Sequence, residues 1–209
     1  MKFTQLSCAL LITLGLSLSG TSAVAEDEVL LPLAPEIQGL DNLYTVEIVL
    51  FKQKAPAFNE ENWPTDLSAL DFSEARLPLP NDGMPLSAHE ELEKSDYALT
   101  SEAARLTRQG YEVLYHNAWL EQFSPNTQST LMLVDPFGSF EGTVRIERLR
   151  YLHVYPEVNL YTADGAEMPG TIIRLDESRR MRSKEIHYID HPVLGMLVLF
   201  RPVKDAAAG

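Results

Sequence analysis

The sequence of 209 residues predicts an α+β fold, with a single sheet-dominated domain and one or two packed helices. Segments in which apolar and β-branched residues alternate recur along the chain, as is typical of buried strands. Residues 99–110 instead have the apolar spacing of a helix and run directly into an alternating segment. We see no internal repeat and no domain break, so we expect one domain over residues 43–203.

The first elements of this domain follow from local patterns. Residues 44–51 alternate with high β-branched content and predict a buried strand. In the predicted helix, apolar residues share one face, Thr100 or Ser101 can cap the start, and Gly110 stands where a helix ends. Between these elements, residues 55–95 are rich in Pro, Asp, Glu and Asn, and we expect long loops that carry short helices.

The second half of the chain predicts a series of strands. Apolar positions of one parity over residues 144–160 indicate either two successive strands or one long bent strand. Residues 177–188 predict a hairpin that turns near Ser183 and Lys184. Further strands are expected at residues 111–120, 171–175 and 194–200.

The N-terminus has the pattern of a cleavable signal peptide. Lys2 precedes an apolar run over residues 6–18, and Ala23-Val24-Ala25 fits the small-residue cleavage rule. The run is too short to span a bilayer, which needs about 20 residues, so we expect residues 1–25 to be removed and no membrane insertion afterwards. The alternative is an uncleaved membrane anchor. Export of this kind predicts a location in the periplasm of a Gram-negative cell.

Cleavage after Ala25 would leave 184 residues and would remove Cys8, the single cysteine, so we expect no disulfide. Residues 26–42 predict a linker, with order beginning near Leu43, and residues 204–209 predict a tail.

The charge of the chain is strongly acidic and unevenly distributed. The formal net charge is −13, which argues against binding to nucleic acid or to anionic lipid. Residues 26–141 carry 21 acidic and 6 basic residues, whereas residues 142–201 carry 8 acidic and 9 basic residues. An anionic ligand would therefore bind in the C-terminal half.

The arginines are the strongest candidates for such binding, because guanidinium groups grip carboxylates with two hydrogen bonds and stack on flat rings. Arg150, Arg179, Arg180 and Arg182 fall in two short polar segments, and Arg180 and Arg182 share one face of an extended segment. The alternative is a solvated basic face that pairs with the acidic half of the chain.

Aromatic and histidine residues give further candidates. Tyr151, Tyr188, Trp63 and Trp119 could stack on sugar rings or could belong to the core. His187 and His191 could share a metal ion on a helix, but on a strand they lie about 13 Å apart, too far for joint ligation.

Pro192 and its extended neighbours favour the strand, so we predict no metal and no cofactor. Asp190 and His191 could be an acid–base pair. No G-x-S-x-G motif accompanies them and the mature chain would lack cysteine, so we predict no catalytic residue and no enzyme.

Several segments together resemble the CsiV family of exported peptidoglycan-binding proteins. The specific one is SRRMRSKEIHYIDHPVLGMLVL at residues 178–199; the others are YTVEIVLFKQ at 44–53, YHNAW at 115–119 and RYLH at 150–153. The resemblance covers nearly the whole mature chain, although the continuation at residues 120–122 is less polar than we expect.

The resemblance implies a non-catalytic cell-wall function. Peptidoglycan would be the ligand, and the protein would support a class A penicillin-binding protein, with a lipoprotein activator of that synthase as a partner. The alternatives are a protein–protein adaptor of the envelope without glycan binding, and a cell-wall hydrolase. From their charge, aromatic character and position we nominate ten residues for peptidoglycan binding: Arg150, Tyr151, His153, Arg179, Arg180, Arg182, His187, Tyr188, Asp190 and His191.

Overall fold

The computed structural model describes residues 29–54, 63, 67–82, 85–162 and 172–205. Of these residues, 53% lie in strands and 8% in helices, so the fold is mostly β and the predicted α+β class is wrong. The physical reason is that the helical pattern at residues 99–110 is isolated. It forms one helix of nine residues, and the only other helical segment described is a single 3-10 turn, Lys94–Asp96.

The elements follow in this order: β1 Val29–Leu31, β2 Leu43–Lys52, β3 Ala75–Arg76, α1 Thr100–Arg108, β4 Glu112–Gln122, β5 Thr127–Val134, β6 Phe140–Arg148, β7 Leu152–Tyr161, β8 Ile172–Asp176, β9 Arg179–Met181, β10 His187–Asp190 and β11 Leu194–Asp205. No helix in the described part of the chain has the length and apolar character needed to cross a membrane.

The strands form two sheets. In sheet I the order is β1–β11–β2–β4, and β10 also pairs with β11. In sheet II the order is β3–β5–β6–β7–β8, and β9 also pairs with β7. All pairs are antiparallel except two: β1 with β11, and β3 with β5.

The two sheets pack face to face across one apolar core, which contains residues from both. Strand β2 shows why sheet I is buried on both sides: Val46, Ile48 and Leu50 face this core, whereas Val49 packs with Leu99 of the segment that leads into α1. Sheet I is therefore covered on its outer face by α1 and loops. The outer face of sheet II instead presents polar side chains to solvent, as alternation along β7 requires.

Most predicted strands are confirmed, and one prediction about pairing is wrong. The parity over residues 144–160 comes from two strands, β6 and β7, whose register pairs Arg148 with Leu152 and so keeps both apolar faces on the core. The hairpin expected over residues 177–188 does not form. Its arms, β9 and β10, pair with β7 and β11, because the chain crosses there from sheet II to sheet I.

The segment expected to be a linker is packed where the structure describes it. Strand β1 pairs with the end of β11, and Leu31, Leu33 and Ile37 are buried in a second apolar cluster. The expectation that order begins near Leu43 is therefore wrong. Residues 26–28 lie outside the described residues, as do residues 1–25 and 206–209.

Two buried carboxylates of sheet I bind neighbouring parts of the fold: Glu47 contacts the start of α1, and Glu121 contacts sheet II. Neither Thr100 nor Ser101 caps α1; instead Glu47 accepts hydrogen bonds from the amides of Ala98 and Leu99, at 2.7 and 2.9 Å. Glu121 of sheet I lies 2.9 Å from Arg76 of sheet II, and it accepts a hydrogen bond from Ser129 at 3.2 Å. A buried charge is tolerated only with such partners.

Candidate functional site

The ten residues nominated from the sequence separate into two surfaces and a set of structural residues. Arg150, Tyr151, His153 and Arg180 lie together at one end of sheet II; we call these four the arginine surface. Tyr188 and Asp190 lie on sheet I, at the edge strand β10. The core residues Leu152 and Met181 point inward, so their neighbours His153 and Arg180 point outward.

The arginine surface is built around one ring. Tyr151 is the last residue of the turn between β6 and β7, and 37% of its surface is exposed. The guanidinium carbon of Arg180 lies 4.8 Å from the ring centroid, and that of Arg150 lies 5.6 Å from it. Both distances are those of cation–π contacts.

Neither guanidinium group of this surface has an acidic partner among the described residues. Arg150 and Arg180 are both exposed and lie over the same ring. Two like charges held on one ring repel each other, and an anion placed between them removes that repulsion. The arrangement is therefore suited to a carboxylate or another anion.

A second aromatic–cation contact continues this surface along β7. The rings of His153 and Tyr155 stack at 6.4 Å, and the Arg145 guanidinium carbon lies 4.0 Å from the Tyr155 centroid. Arg145 also pairs with Glu147, so its charge is already neutralised locally. Arg150 and Arg180 are thus the two cations of this region that remain for a ligand.

Two other arginines of the C-terminal half, Arg174 and Arg179, stabilise the fold through internal hydrogen bonds. Arg174 is mostly buried and bonds to Asn159, Glu157 and the Ser68 carbonyl. Arg179 donates to the Tyr188 carbonyl and so ties β9 to β10.

Arg182 does not lie where the sequence predicts, which is on the same face of an extended segment as Arg180. Strand β9 ends at Met181, and the Arg182 side chain, 70% exposed, lies in the following turn, 3.6 Å from Glu185. The expectation that Arg180 and Arg182 share one face is therefore wrong.

On the outer face of sheet I lies a cavity that we call the aromatic groove. Its lining includes Phe51, Lys54, Tyr111 and Tyr188, with residues of α1 along one wall, and its volume is about 760 Å³. A smaller cavity of about 460 Å³ adjoins it, sharing Lys54 and Tyr111 and reaching Asp190. Both volumes are in the range of small-molecule sites.

The floor of the groove is a set of three rings. Tyr188 stacks on Phe51 at 6.1 Å with an interplanar angle of 11°, and Tyr111 meets Phe51 edge-on at 5.4 Å. The stack depends on Gly195, since a Cβ there would lie 2.4 Å from the Phe51 ring. Tyr188 remains 37% exposed, so its outer face is available to a ligand.

Polar groups surround the Tyr188 hydroxyl. It donates to Asp190 Oδ1 at 2.6 Å and accepts from Gln53 Nε2 at 2.9 Å. Burial, followed by the hydrogen bond to the Asp190 carboxylate, raises the pKa of Tyr188 to about 12, so the hydroxyl stays protonated at neutral pH. The network fixes both the ring and the carboxylate.

Two of the three histidines in the nominated set, His187 and His191, make local hydrogen bonds that stabilise the fold. The predicted strand at His187 is confirmed, and its Nε2 lies 2.9 Å from the Arg182 amide and 3.1 Å from the Arg182 carbonyl across the turn. Burial lowers the pKa of His187. His191 Nδ1 accepts from the amides of Val193 and Leu194, at 3.2 and 3.3 Å. In the described part of the chain, no three His, Cys, Asp or Glu side chains converge as metal ligands would.

The sequence leaves the role of the tryptophans open and does not predict most of the residues that line the groove. Trp119 is fully buried in the core and offers no ring to a ligand, whereas Trp63 packs against His191. Gln53, Lys54 and Tyr111 were not nominated. The available signal was their position, since Gln53 and Lys54 follow a buried strand and Tyr111 follows the glycine that ends the helix.

Comparison with known proteins assigns the chain to a family. A family model described as "Peptidoglycan-binding protein, CsiV" matches residues 7–203, which is nearly the whole chain. No curated protein and no solved structure shows significant similarity to this chain. The family match agrees with the resemblance seen at residues 178–199 and in the shorter segments. The chain therefore belongs to the CsiV family of peptidoglycan-binding proteins.

Proposed function

We propose that this protein binds peptidoglycan without catalysis, and that the arginine surface contacts carboxylates of the stem peptides. The observation that carries the proposal is the pair of guanidinium groups, Arg150 and Arg180, on the exposed ring of Tyr151. Membership of a family described as peptidoglycan-binding supports the choice of ligand.

The chemistry of the stem peptide matches this surface. Each guanidinium group can donate two parallel hydrogen bonds to a carboxylate, and the tyrosine ring holds it flat for that purpose. The chain as a whole is acidic, with a net charge of −13, so an anionic polymer is repelled from most of its surface. A local binding site is consistent with recognition of a peptide end group.

The test is co-sedimentation with isolated sacculi. We expect the Arg150→Ala/Arg180→Ala variant to bind about two- to thirtyfold more weakly, because each of the two exposed charged contacts contributes about 0.2–1 kcal/mol and about 1.4 kcal/mol is a factor of ten. Its melting temperature should stay close to that of the wild type, since both side chains are exposed.

The matched control is Arg108→Ala/Arg182→Ala, which removes the same charge from exposed positions outside the arginine surface. It should bind sacculi like the wild type. Equal weakening by both variants would show that only net charge matters, and unchanged binding by the first variant would reject the arginine surface.

The wider role follows the same proposal. Cleavage after Ala25 would deliver the protein to the periplasm, where mass spectrometry should find an N-terminus at Glu26. There it supports a class A penicillin-binding protein through that synthase's lipoprotein activator. Glycan polymerisation by the purified synthase and activator should rise when this protein is added, and an unchanged rate would reject this role.

A further inference from the structure

We propose that the aromatic groove is a second ligand site and binds N-acetylated amino-sugar rings of the glycan strand. This inference rests on the proposed function for its ligand but on different residues, Tyr188, Asp190 and Gln53, for its site. The groove lies on the outer face of sheet I, whereas the arginine surface lies on the outer face of sheet II.

The first step is the stacking platform. A pyranose ring presents C–H groups on one side, and these pack on the flat face of an aromatic ring. Tyr188 offers such a face, and its ring packs against the nearly parallel ring of Phe51, with 6.1 Å between the centroids and an interplanar angle of 11°. Gly195 makes room for Phe51, so the backbone itself is shaped for this stack.

The second step is hydrogen bonding beside the platform. Among the described residues, Asp190 is engaged through Oδ1 only, by Tyr188 and by Gln53 Nε2 at 3.4 Å, so Oδ2 can accept from a sugar hydroxyl. The Gln53 side chain uses its amino group for all its bonds within the described residues. Its carbonyl oxygen is therefore available to an acetamido N–H.

The charged side chains along the groove are balanced in sign. The groove wall carries Lys54 and Arg105 together with Glu102, and Asp190 lies at its end. Because cations and anions are balanced there, the groove lacks the excess of positive charge found at the arginine surface. A neutral, hydroxyl-rich ring fits this mixture of aromatic floor and polar wall better than a carboxylate does.

The experiment uses the mature full-length protein and two probes: peptide-free glycan strands and a β-1,4-linked N-acetylglucosamine tetramer. Binding is measured by isothermal titration calorimetry, and sacculus binding is measured in parallel. Tyr188→Ala should weaken binding of both probes about three- to tenfold, because aromatic stacking contributes that much beyond area burial. Tyr188→Phe keeps the platform and should lose less.

The matched control is Tyr161→Ala, because Tyr161 has the same 37% exposure but lies on sheet II, bonded to Glu141. It should bind both probes like the wild type. Hydrogen exchange of the wild-type protein gives a readout that needs no variant: amides of residues 187–191 should be protected by the glycan probes.

The outcomes separate the two proposals. Binding to sacculi with no binding or protection by the peptide-free probes overturns the groove inference and leaves the proposed function standing. Equal loss from Tyr188→Ala and Tyr161→Ala also overturns the inference. Binding of the probes without binding to sacculi supports the groove and rejects the proposed function.

Discussion

At the scale of single residues, identical side chains serve opposite purposes. Arg174 is buried against Asn159 and Glu157, whereas Arg180, six residues later, lies exposed over a tyrosine ring. The sequence predicts that basic residues are concentrated in the C-terminal half, but not which arginine finds an internal partner. That distinction depends on strands far away in the sequence, such as β7 for both of these residues.

The close contact between Gly195 and the Phe51 ring can be tested by substitution. Gly195→Ala would place a Cβ 2.4 Å from the Phe51 ring, so we expect a loss of about 1–3 kcal/mol in the free energy of unfolding and weaker glycan binding. Urea denaturation and calorimetry measure the two effects.

A double-mutant cycle is the control for this prediction. If the clash with Phe51 is the cause, Gly195→Ala should cost less when Phe51 is already leucine. Additive effects of the two substitutions, within about 0.3–0.5 kcal/mol, would contradict the explanation.

At the scale of elements, the sequence predicts strands well and their partners poorly. Alternation identified β2, β4, β8 and β11 because one or both faces of these strands are buried. Strand β5 was missed, and the arms of the expected hairpin over residues 177–188 join different sheets. Periodicity reports which face is buried, whereas pairing depends on the rest of the chain.

The same limit applies to the candidate site. Residue type alone nominates Arg180 and Tyr151 separately, and only the fold brings them into contact. The aromatic groove could not be predicted, because it joins the end of β2, the start of β4 and the edge strand β10. These elements come together only through the order of sheet I.

Glu47 gives a prediction about an element, the helix α1. Its two carboxylate oxygens accept from Ala98 and Leu99, and Oε1 also lies 2.7 Å from His116 Nε2. In Glu47→Gln one of these acceptors becomes a donor, so a buried N–H loses its partner at a cost of about 1–3 kcal/mol. Hydrogen exchange should quicken at the amides of residues 98–108.

The matched control for this substitution is Glu112→Gln. The Glu112 side chain is 67% exposed, and its contact with Lys52 is 4.0 Å long, so its loss should change stability by less than about 1 kcal/mol. If both variants behave alike, Glu47 does not anchor α1.

In the whole molecule, two sheets pack on one apolar core and leave two outer faces with different chemistry. Within the described residues, the outer face of sheet II presents polar side chains and carries the arginine surface, whereas that of sheet I is covered by α1 and the N-terminal segment and carries the groove between α1 and β10. Under the two proposals, separate faces would allow one protein to contact glycan and stem peptide at once, which would multiply weak affinities.

The N-terminal segment gives the prediction at this scale. Leu31 and Leu33 are buried beside Leu86, and the Pro32 and Leu86 carbonyls accept hydrogen bonds from the amides of Leu86 and Ala34. A chain that begins at Leu43 loses β1 and these contacts, and each buried leucine contributes about 1.5–3 kcal/mol. We therefore expect its free energy of unfolding in urea to fall by at least about 2 kcal/mol. The control is a chain that begins at Val29, which should be as stable as a chain that begins at Glu26. Equal stability of the chains that begin at Glu26, Val29 and Leu43 would mean that residues 29–42 act as a linker.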